Sequence, residues 1–405
     1  MNATTILLLI AAAGLVCSTG FLALSMVAAV RFRRRGKWQS VESASLPPVT
    51  LLKPLCGLEP NLEANLESFF HQDYPQFEII FGTRDETDPA LGAVHLVQRR
   101  YPEVPLKIAY SGEPERPNAK VCSLDKMLES STHEYLVISD SDVHVTPDYL
   151  REVVPPLLDP KIGMVTCLYR GVPTGGIWSR LEALGMSVEM TAGVLVADIL
   201  EGMKFALGPT MALRREILES VGGLRPLADY CSDDYLLGQR IHASGRTVVL
   251  SSHVIDHVVL NRSFGASIAH QVRWMKSTRF SRRMGHIGTG LTFAMPFGLL
   301  GLASGIAAGN PLLGAALLGW ALVSRMILSV VVGWGVVGDR RALRCCWLYP
   351  LRDLMGFGFW CASFLSRNII WRGIHYRLEP GGKMSRMGAP DEKPASKTIA
   401  VDNLA

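Results

Sequence analysis

The sequence predicts an α/β domain with a mostly parallel sheet, placed between N-terminal and C-terminal transmembrane helices. Three observations carry this prediction: two long stretches almost without charge, an alternation of apolar strands with helices, and acidic clusters directly after two of the strands. Strands that alternate with helices need crossover connections, which produce a parallel sheet. The 48% of hydrophobic residues and the mean hydropathy of +0.22 are high for a purely soluble chain of 405 residues.

The chain begins with an apolar stretch that predicts one membrane span. Residues 1–30 contain no charged side chain, and about 20 apolar residues cross the hydrocarbon core. The basic run comes after this stretch, which favours a retained signal anchor over a cleaved signal peptide. By the positive-inside rule the run stays in the cytoplasm, so the domain that follows should face the cytoplasm. The basic residues lie in a flank and linker at 31–48 and are Arg31, Arg33, Arg34, Arg35 and Lys37.

A second apolar region extends from 291 to 338 and contains one charged residue, Arg325. Its length predicts two spans, 291–309 and 312–337, with a Gly-Asn-Pro turn between them. Residues 354–371 include an apolar stretch too short for a span, which fits a re-entrant or interfacial helix.

Composition argues against several other classes of protein and site. The net charge of +5 is modest, and we expect no nucleic-acid partner. None of the eight cysteines forms a C-x-x-C pair, so no zinc or redox site is predicted. A cytoplasmic domain should keep these thiols free. The tail at 380–405 is rich in Gly, Pro, Ser, Lys and Asp, and we expect it to be disordered.

The soluble region at 49–290 reads as alternating strands and helices. Four short apolar runs predict strands at 49–52, 77–81, 105–110 and 135–138. The intervening segments predict helices at 61–71, 90–101 and 118–130. Ligands bind at the carboxyl ends of parallel strands, and the acidic clusters at 84–89 and 139–142 lie at two such ends. A further helical stretch, 177–205, is either plain core or a surface that lies on the membrane.

The pair Asp140 and Asp142 forms a D-x-D sequence at the end of a predicted strand. A nucleotide diphosphate is strongly anionic, and a divalent cation held by carboxylates neutralises it as a leaving group. We therefore expect Mg²⁺ or Mn²⁺ on Asp140 and Asp142. His257 is a further candidate ligand, although a lone histidine is more often structural.

Two adjacent acids, Asp233 and Asp234, form a second candidate site. Transfer of a group onto a hydroxyl needs a general base that takes the proton from that hydroxyl, and one carboxylate suffices for this. Two neighbouring carboxylates tend to raise the pKa of one of them, which suits this role. Equally, acids at the start of a helix complement its dipole, and this sequence pattern alone leaves both interpretations open.

The segment from His270 to Trp274 is a third candidate. The guanidinium of Arg273 offers a fixed fork of donors for phosphate, and the Trp274 ring offers a flat wall for a sugar or a lipid chain. The alternative is a basic flank that faces lipid headgroups before the membrane segment. That flank comprises Arg273, Lys276, Arg279, Arg282 and Arg283.

These residues together resemble the family of membrane glycosyltransferases that includes ceramide glucosyltransferase. The similarity covers nearly the whole chain outside the tail. It is carried by Leu52–Gly57, Pro60–Leu62, Asn65–Phe70, Asp73–Pro75, Asp85, Asp88-Pro89, Ser139–Ser141, Met211–Arg215, Gly222–Leu224, Asp234-Tyr235, Arg273-Trp274, Trp371-Arg372 and Tyr376–Leu378.

The family pattern is three spaced aspartates followed by Q/R-x-x-R-W. Matched to this sequence, the aspartates are Asp88, Asp140 and, as the base, Asp234, and the last motif ends in Arg273-Trp274. The Q/R position is occupied by His270, with Gln271 displaced by one.

The resemblance implies several further properties. It implies donor contacts from Lys53 and, on the uracil side, from Asp85. It also implies a GT-A nucleotide-sugar fold, UDP-glucose as donor, inversion at the anomeric carbon, and ceramide or a similar lipid as acceptor. The membrane would be the inner membrane of a bacterium, or a Golgi-type membrane in a eukaryote.

Three alternatives remain at this level. A hopanoid-pathway glycosyltransferase is similar in these motifs and would use UDP-N-acetylglucosamine and a hopanoid. A processive polysaccharide synthase is disfavoured because the predicted spans are few for a polymer channel. A non-enzymatic membrane scaffold would not need acids at three separate strand or helix ends.

Overall fold

The soluble part is built around one large sheet in the computed structural model, which describes residues 2–36, 42–261 and 263–387. Within these residues the sheet has eight strands in the order β3-β2-β1-β4-β7-β6-β8-β5. The strands are β1 (Val49–Pro54), β2 (Phe77–Thr83), β3 (Leu106–Tyr110), β4 (Tyr135–Ile138), β5 (Val143–His144), β6 (Ile162–Pro173), β7 (Met211–Arg214) and β8 (Thr247–Val259).

The first four strands run parallel, as the alternation of strands and helices predicts. β1 pairs in parallel with both β2 and β4, and β2 pairs in parallel with β3. Their carboxyl ends therefore lie along one edge of the sheet. β7 runs antiparallel to β4, with Met211 opposite Ile138, so the chain that enters β7 arrives at this same edge. The acids after β4 therefore lie beside the segment that enters β7.

Helices connect these strands and continue beyond them. The first connections are the helices predicted at 61–71, 90–101 and 118–130, whose bounds the structure places within one or two residues. The described helices are α1 (Ala3–Arg34), α2 (Leu62–Phe70), α3 (Ala90–Arg100), α4 (Ala119–Ser130), α5 (Tyr149–Val153), α6 (Gly176–Gly185), α7 (Thr191–Glu201), α8 (Arg215–Ser220), α9 (Asp233–Ala243), α10 (Phe264–Ser281), α11 (Arg283–Thr289), α12 (Met295–Ala307), α13 (Pro311–Leu328), α14 (Arg340–Arg344) and α15 (Tyr349–Ser363).

The main core lies between the sheet and these helices. Strand residues such as Leu51, Ile79 and Val137 are fully buried, and so are Leu66 of α2 and Leu124 of α4. Such continuous burial of apolar strands is expected where a parallel sheet is covered by its crossover helices. The packing therefore holds the carboxyl edge of the sheet rigidly in place.

Among the residues that the structure describes, three helices are long and apolar enough to cross a membrane by length and composition. They are Ala3–Arg34, Gly176–Glu201 (α6 and α7 joined by a π-helical turn) and Pro311–Trp334. α12 is apolar but shorter, and it packs against α1 and α13. Small residues permit this: a Cβ on Gly305 of α12 would lie 2.7 Å from the Cα of Gly314 on α13.

The C-terminal region differs from the sequence prediction in two places. Residues 354–371 are not one helical segment, because α15 ends at Ser363 and a strand, β9 (Asn368–Trp371), follows it. β9 pairs with β10 (Ile374–Leu378), and β10 with β11 (Met384–Arg386), to form a small antiparallel sheet.

The second correction concerns the tail. The composition of residues 380–387 predicts disorder, yet these residues contain β11 and are held by backbone hydrogen bonds. The amide of Met384 donates to the Asp229 carbonyl (2.7 Å), and the amide of Cys231 donates to the Gly382 carbonyl (3.1 Å). This pairing with a distant loop stabilises a segment whose composition alone suggests disorder. The remainder of the predicted tail, 388–405, and Lys37 of the basic flank lie outside the described residues.

Candidate active site

The predicted donor-binding lysine, Lys53, lies in β1 just before the carboxyl edge of the sheet and is fully buried. Its ammonium group donates to the backbone carbonyl of Asp140 (2.7 Å) and lies 3.5 Å from the centre of the Phe69 ring. Burial lowers the pKa of Lys53 to about 7, although Asp140 and Asp142 act in the opposite direction. Lys53 therefore holds the D-x-D loop in place through the backbone carbonyl of Asp140.

The two predicted donor-binding aspartates after β2, Asp85 and Asp88, behave differently. Asp88 accepts hydrogen bonds from the amide of Gly57 (2.9 and 3.2 Å) and from the amide of Ala90 (2.9 Å). It thereby joins the loop after β1 to the start of α3. Asp85 is exposed and accepts from the amide and hydroxyl of Thr87, which lower the pKa of its carboxyl. Asp85 thus has an ionised, solvent-facing carboxylate at the mouth of this edge.

Asp140 and Asp234 lie side by side at Gly208, in the segment that enters β7. A Cβ on Gly208 would lie 3.1 Å from Oδ2 of Asp234 and 3.5 Å from Oδ2 of Asp140. The other oxygen of Asp140, Oδ1, forms an ion pair with the ammonium of Lys120 at the start of α4 (2.5 Å). The second and third aspartates of the motif pattern, far apart in sequence, thus share one pocket of negative charge.

Asp234 is held by backbone groups. Its Oδ2 accepts from the amide of Gly208 (2.7 Å), and its Oδ1 accepts from the amide of Tyr235 (2.8 Å). Burial and then the neighbouring Asp233 raise the pKa of Asp234 to about 6, against the opposing effect of Lys120. A carboxyl with this pKa is ionised near neutral pH and still accepts a proton readily.

Asp233 faces inward instead. It is buried at the first position of α9 and accepts a hydrogen bond from the side-chain amide of Asn118 (3.1 Å). Asn118 in turn caps α4, accepting from the amide of Val121 (3.2 Å). Burial raises the pKa of Asp233, although Lys120 opposes this. Asp233 therefore ties α9 to α4, while Asp234 faces Gly208.

The second aspartate of the D-x-D sequence, Asp142, has a free oxygen. Its Oδ2 lies 3.7 Å from Nε2 of His257, whereas its Oδ1 is buried without a hydrogen-bond partner among the described residues. An unpartnered buried carboxylate oxygen is costly, and a bound cation would satisfy it. The donor set at Asp140 and Asp142 thus fits a hard divalent cation.

The three predicted metal ligands are not gathered into one cluster. Asp142 and His257 approach each other, while Asp140 is engaged by Lys120. In the described part of the chain, no group of three or more His, Cys, Asp or Glu residues is arranged to hold a metal ion. Mg²⁺ sites of transferases often use one or two carboxylates and complete their coordination with substrate phosphates, which this arrangement suits.

A row of aromatic rings borders Asp142. The Trp274 ring lies edge-on to His257 (6.5 Å between ring centres) and packs against His270 (4.7 Å). The guanidinium of Arg273 lies over the ring of Trp371 in the C-terminal sheet (5.5 Å). Arg273 and Trp274 are therefore adjacent to the acidic edge and in contact with the small sheet.

The remaining motif residues are engaged in internal contacts. Nδ1 of His270 lies 2.7 Å from Oε1 of Glu182, and Glu182 also accepts from Ser267 (2.6 Å). Gln271 is buried and accepts from Arg352 of α15 (2.7 Å). The two candidates at the variable motif position thus bind α10 to α6 and to α15 respectively.

The match to known families decides the chain's membership. A family model described as "Glycosyl transferase family 21" matches residues 8–384, nearly the whole chain. The chain belongs to glycosyl transferase family 21. The match includes the large sheet and β9 and β10 of the small C-terminal sheet, so the family 21 region extends well past the residues that carry the acids.

Curated relatives of this family 21 chain include ceramide glucosyltransferases. Ceramide glucosyltransferase 1 of Caenorhabditis elegans is 27% identical over 210 residues, which cover 52% of this chain and 45% of that protein. The ceramide glucosyltransferase of Komagataella phaffii is 36% identical over 126 residues, covering 29% of this chain and 25% of that protein. The chain spans about half the length of the two Caenorhabditis elegans ceramide glucosyltransferases that it matches.

A solved structure confirms the predicted GT-A type fold. The mannosyltransferase of Pyrobaculum calidifontis, solved in complex with GDP-Man and Mn²⁺, superposes with a TM-score of 0.50 at 22% identity. The superposition covers 86% of this chain and 98% of that one. At this level of identity the likeness concerns the fold of the family 21 chain alone.

The structure also brings forward residues that the sequence did not single out. Lys120 pairs with Asp140, and Glu59 accepts from the hydroxyl of Ser141 (2.6 Å). Burial raises the pKa of Glu59; Asp142 adds to this and Arg372 opposes it. Lys120 lies two residues after the helix cap Asn118. A lysine in the first turn of a helix opposes the helix dipole, and this unusual position is a sequence signal that could have drawn attention to it. Glu59 had no such signal.

Proposed function

We propose that this family 21 chain transfers glucose from UDP-glucose to the primary hydroxyl of ceramide or a similar lipid, with inversion at the anomeric carbon. The observation that carries the proposal is the meeting of Asp140 and Asp234 at Gly208, on the carboxyl edge of a GT-A type sheet. Support for the substrates comes from the relatives named ceramide glucosyltransferase.

In this proposal Asp234 is the general base. Its carboxylate takes the proton from the acceptor hydroxyl as that oxygen attacks the anomeric carbon. The amides of Gly208 and Tyr235 hold the carboxylate in one orientation, so no reorganisation is needed when the acceptor arrives. Asp233 maintains the position of α9 beside it through Asn118.

The donor would lie along the carboxyl edge between Asp85 and the D-x-D loop. Asp140 and Asp142 would hold a divalent cation, whose positive charge stabilises the departing diphosphate. Lys53 keeps the loop in place through the Asp140 carbonyl. The orphan oxygen of Asp142 is the observation that supports a cation at this point.

The acceptor would approach from the side of Trp274. The ring of Trp274 lies near Asp142 through His257 and offers a flat apolar surface. The candidate membrane helices α6–α7 carry Glu182, which binds His270 one turn before Trp274. A lipid whose chains remain in the membrane could therefore present its hydroxyl beside this ring.

The proposal is tested by product identity. Membranes that contain the full chain are incubated with radiolabelled UDP-glucose or UDP-N-acetylglucosamine, each with ceramide or a hopanoid, and labelled lipids are identified. We expect label from UDP-glucose in a glucosylated ceramide and at least about 10²-fold less label with the Asp234→Asn variant. Label from UDP-N-acetylglucosamine in a hopanoid, or label in a polymer, would contradict the proposal.

Removal of divalent cations should abolish transfer. The physical reason is that Asp140 and Asp142 alone add negative charge next to a departing diphosphate. The measurement is the rate in excess chelator and again after addition of Mg²⁺ or Mn²⁺. Full activity in chelator would remove the metal role, and Asp142→Ala should weaken donor and metal binding together.

Labelling of Cys56 should report the orientation of the domain. Cys56 is exposed and follows β1, whereas Cys122 and Cys231 are only partly accessible. If Arg31, Arg33 and Arg34 hold their flank in the cytoplasm, a reagent that cannot cross membranes should miss Cys56 in right-side-out vesicles. The same reagent should label it in inside-out vesicles.

A matched variant makes this measurement specific. A chain in which Cys56 is the one remaining cysteine is compared with Cys56→Ser in the same background. All eight cysteines are free of disulfides in the structure, so these replacements break no covalent link. Equal labelling of folded protein in both kinds of vesicle would overturn the proposed orientation.

A further inference from the structure

Lys120 lies among three carboxylates at the candidate active site. Its Nζ is 2.5 Å from Oδ1 of Asp140, and its side chain is 21% exposed. Asp233 and Asp234 lie within electrostatic reach of the same ammonium.

This ion pair engages a carboxylate that the proposed metal site needs. Asp140 is the first aspartate of the D-x-D sequence, while the second, Asp142, keeps an unpartnered oxygen. A divalent cation that binds both would have to lie beside an ammonium already in contact with Asp140. Like charges at such short range repel strongly. The donor-free enzyme is therefore a poor host for the cation.

The diphosphate of a nucleotide sugar would change this balance. It supplies oxygen ligands that complete the coordination of a cation held by only one or two carboxylates. It also offers the ammonium of Lys120 an anionic partner other than Asp140. Metal and donor would then each favour the binding of the other, as linkage requires.

We infer that Lys120 is a built-in counter-ion for Asp140 in the donor-free enzyme, so that the divalent cation binds Asp140 and Asp142 only together with the donor diphosphate. The inference rests on the proposed function, because it requires a nucleotide-diphosphate donor. Lys120 thereby prevents the acidic edge from collecting cations when no donor is present.

The test measures Mn²⁺ binding rather than turnover. The purified full-length chain is titrated with Mn²⁺ in the presence and absence of UDP, and free Mn²⁺ is followed by electron paramagnetic resonance. The wild-type chain should bind Mn²⁺ about ten-fold or more tightly with UDP than without it, since coupling of this kind typically lies in that range. Lys120→Gln, which keeps a donor for Asp140 but removes the charge, should bind Mn²⁺ about ten-fold or more tightly without UDP.

Two control variants test whether the effect depends on the positive charge of residue 120 and on the position of that charge. Lys120→Arg keeps the charge and should retain the weak binding of the donor-free wild-type chain. Lys126→Gln removes a lysine from the same helix, where it pairs with Glu129 at an exposed position. It should match the wild-type chain in every titration.

The outcomes separate the inference from the proposed function. If UDP strengthens Mn²⁺ binding but Lys120→Gln binds Mn²⁺ no more tightly than the wild-type chain, the inference is wrong and the proposed function stands. If the wild-type chain binds Mn²⁺ equally well without UDP, the inference is also wrong, whether or not the variants fold. If the wild-type chain binds no Mn²⁺ even with UDP, the metal role in the proposed function fails and the inference fails with it.

Discussion

Replacement of Asp234 by asparagine is expected to lower turnover by about 10²–10⁴-fold, the range usually found when a general base is removed. Asparagine has the size of aspartate but cannot accept the proton from the acceptor hydroxyl. Donor binding should change little, because we assign it to Asp85, Asp88 and the D-x-D loop. The measurement is turnover with UDP-glucose and ceramide, beside the affinity for UDP.

Asp233→Asn is the matched control. Asp233 accepts from the side chain of Asn118 and does not face Gly208, so its loss should affect the position of α9 more than proton transfer. We expect a milder loss of turnover than for Asp234→Asn. If Asp234→Asn turns over near the wild-type rate, the base is misassigned and Asp233 becomes the next candidate. If UDP affinity collapses together with turnover, Asp234 belongs to the donor site.

The pH dependence adds a second readout for Asp234. The raised pKa of about 6 means that the carboxyl gains its proton as pH falls through this value, and a protonated base cannot act. Turnover should therefore decline below about pH 6 in the wild-type chain, and the residual turnover of Asp234→Asn should lack this decline. Lys53 would affect turnover on the alkaline side of this pH profile, since its ammonium group loses its charge as pH rises through about 7.

Replacement of Arg325 by methionine is expected to lower the free energy of unfolding by about 3–5 kcal/mol, the usual cost of breaking a buried ion pair. Arg325 of α13 and Asp353 of α15 are 1% and 2% exposed, and Nη1 of Arg325 lies 3.3 Å from Oδ1 of Asp353. The same arginine donates to the carbonyls of Thr292 (2.9 Å) and Ser18 (3.4 Å). Its loss leaves the carboxylate of Asp353 buried without its ion-pair partner. It also removes a side chain that joins the segments of Ser18, Thr292 and Asp353.

Asp353 also holds the start of α12, so replacing Arg325 tests the ion pair more directly than replacing Asp353 would. Its Oδ2 accepts from the amides of Ala294 and Met295, at the start of α12 (3.0 and 2.9 Å). The double variant Arg325→Met with Asp353→Asn keeps an acceptor for these amides without a buried charge. It should therefore be more stable than Arg325→Met alone.

The stability measurement uses the chain in a lipid bilayer or detergent. Unfolding of the wild-type chain, both variants and Arg344→Met is followed under identical conditions. Arg344 is an exposed arginine of α14, and its replacement should change the free energy of unfolding by no more than about 0.5 kcal/mol. An Arg325→Met chain as stable as Arg344→Met would show that the ion pair contributes little.

The local features of this chain were predicted well from its sequence. The apolar runs at 77–81 and 135–138 became β2 and β4, and the acids that follow them lie at the carboxyl edge, as a parallel sheet requires. The fold prediction is confirmed by the superposition on a GT-A type structure. Such features are predictable because strand hydrophobicity and the position of polar residues after a strand are recorded within a few neighbouring residues.

The partners of the motif residues were not predictable in this way. Nothing near His270 in the sequence points to Glu182, and nothing near Gln271 points to Arg352, yet each pair is in direct contact. The C-terminal sheet was missed for the same reason, because residues 380–387 become ordered through backbone bonds to the loop at 229–231. Contacts between segments more than 80 residues apart leave no periodic pattern in either segment.

The sequence by itself determined the α/β class, the apolar helices at both ends and the three places where acids follow strands or begin a helix. Only the tertiary structure decided that Asp140 and Asp234 share the space at Gly208 and that Lys120 neutralises them. The physical reason is the antiparallel insertion of β7 beside β4, which brings the segment before Met211 to the edge where Ile138 ends. Strand order is set by packing over the whole sheet, so the charge balance of the site is a property of the folded chain.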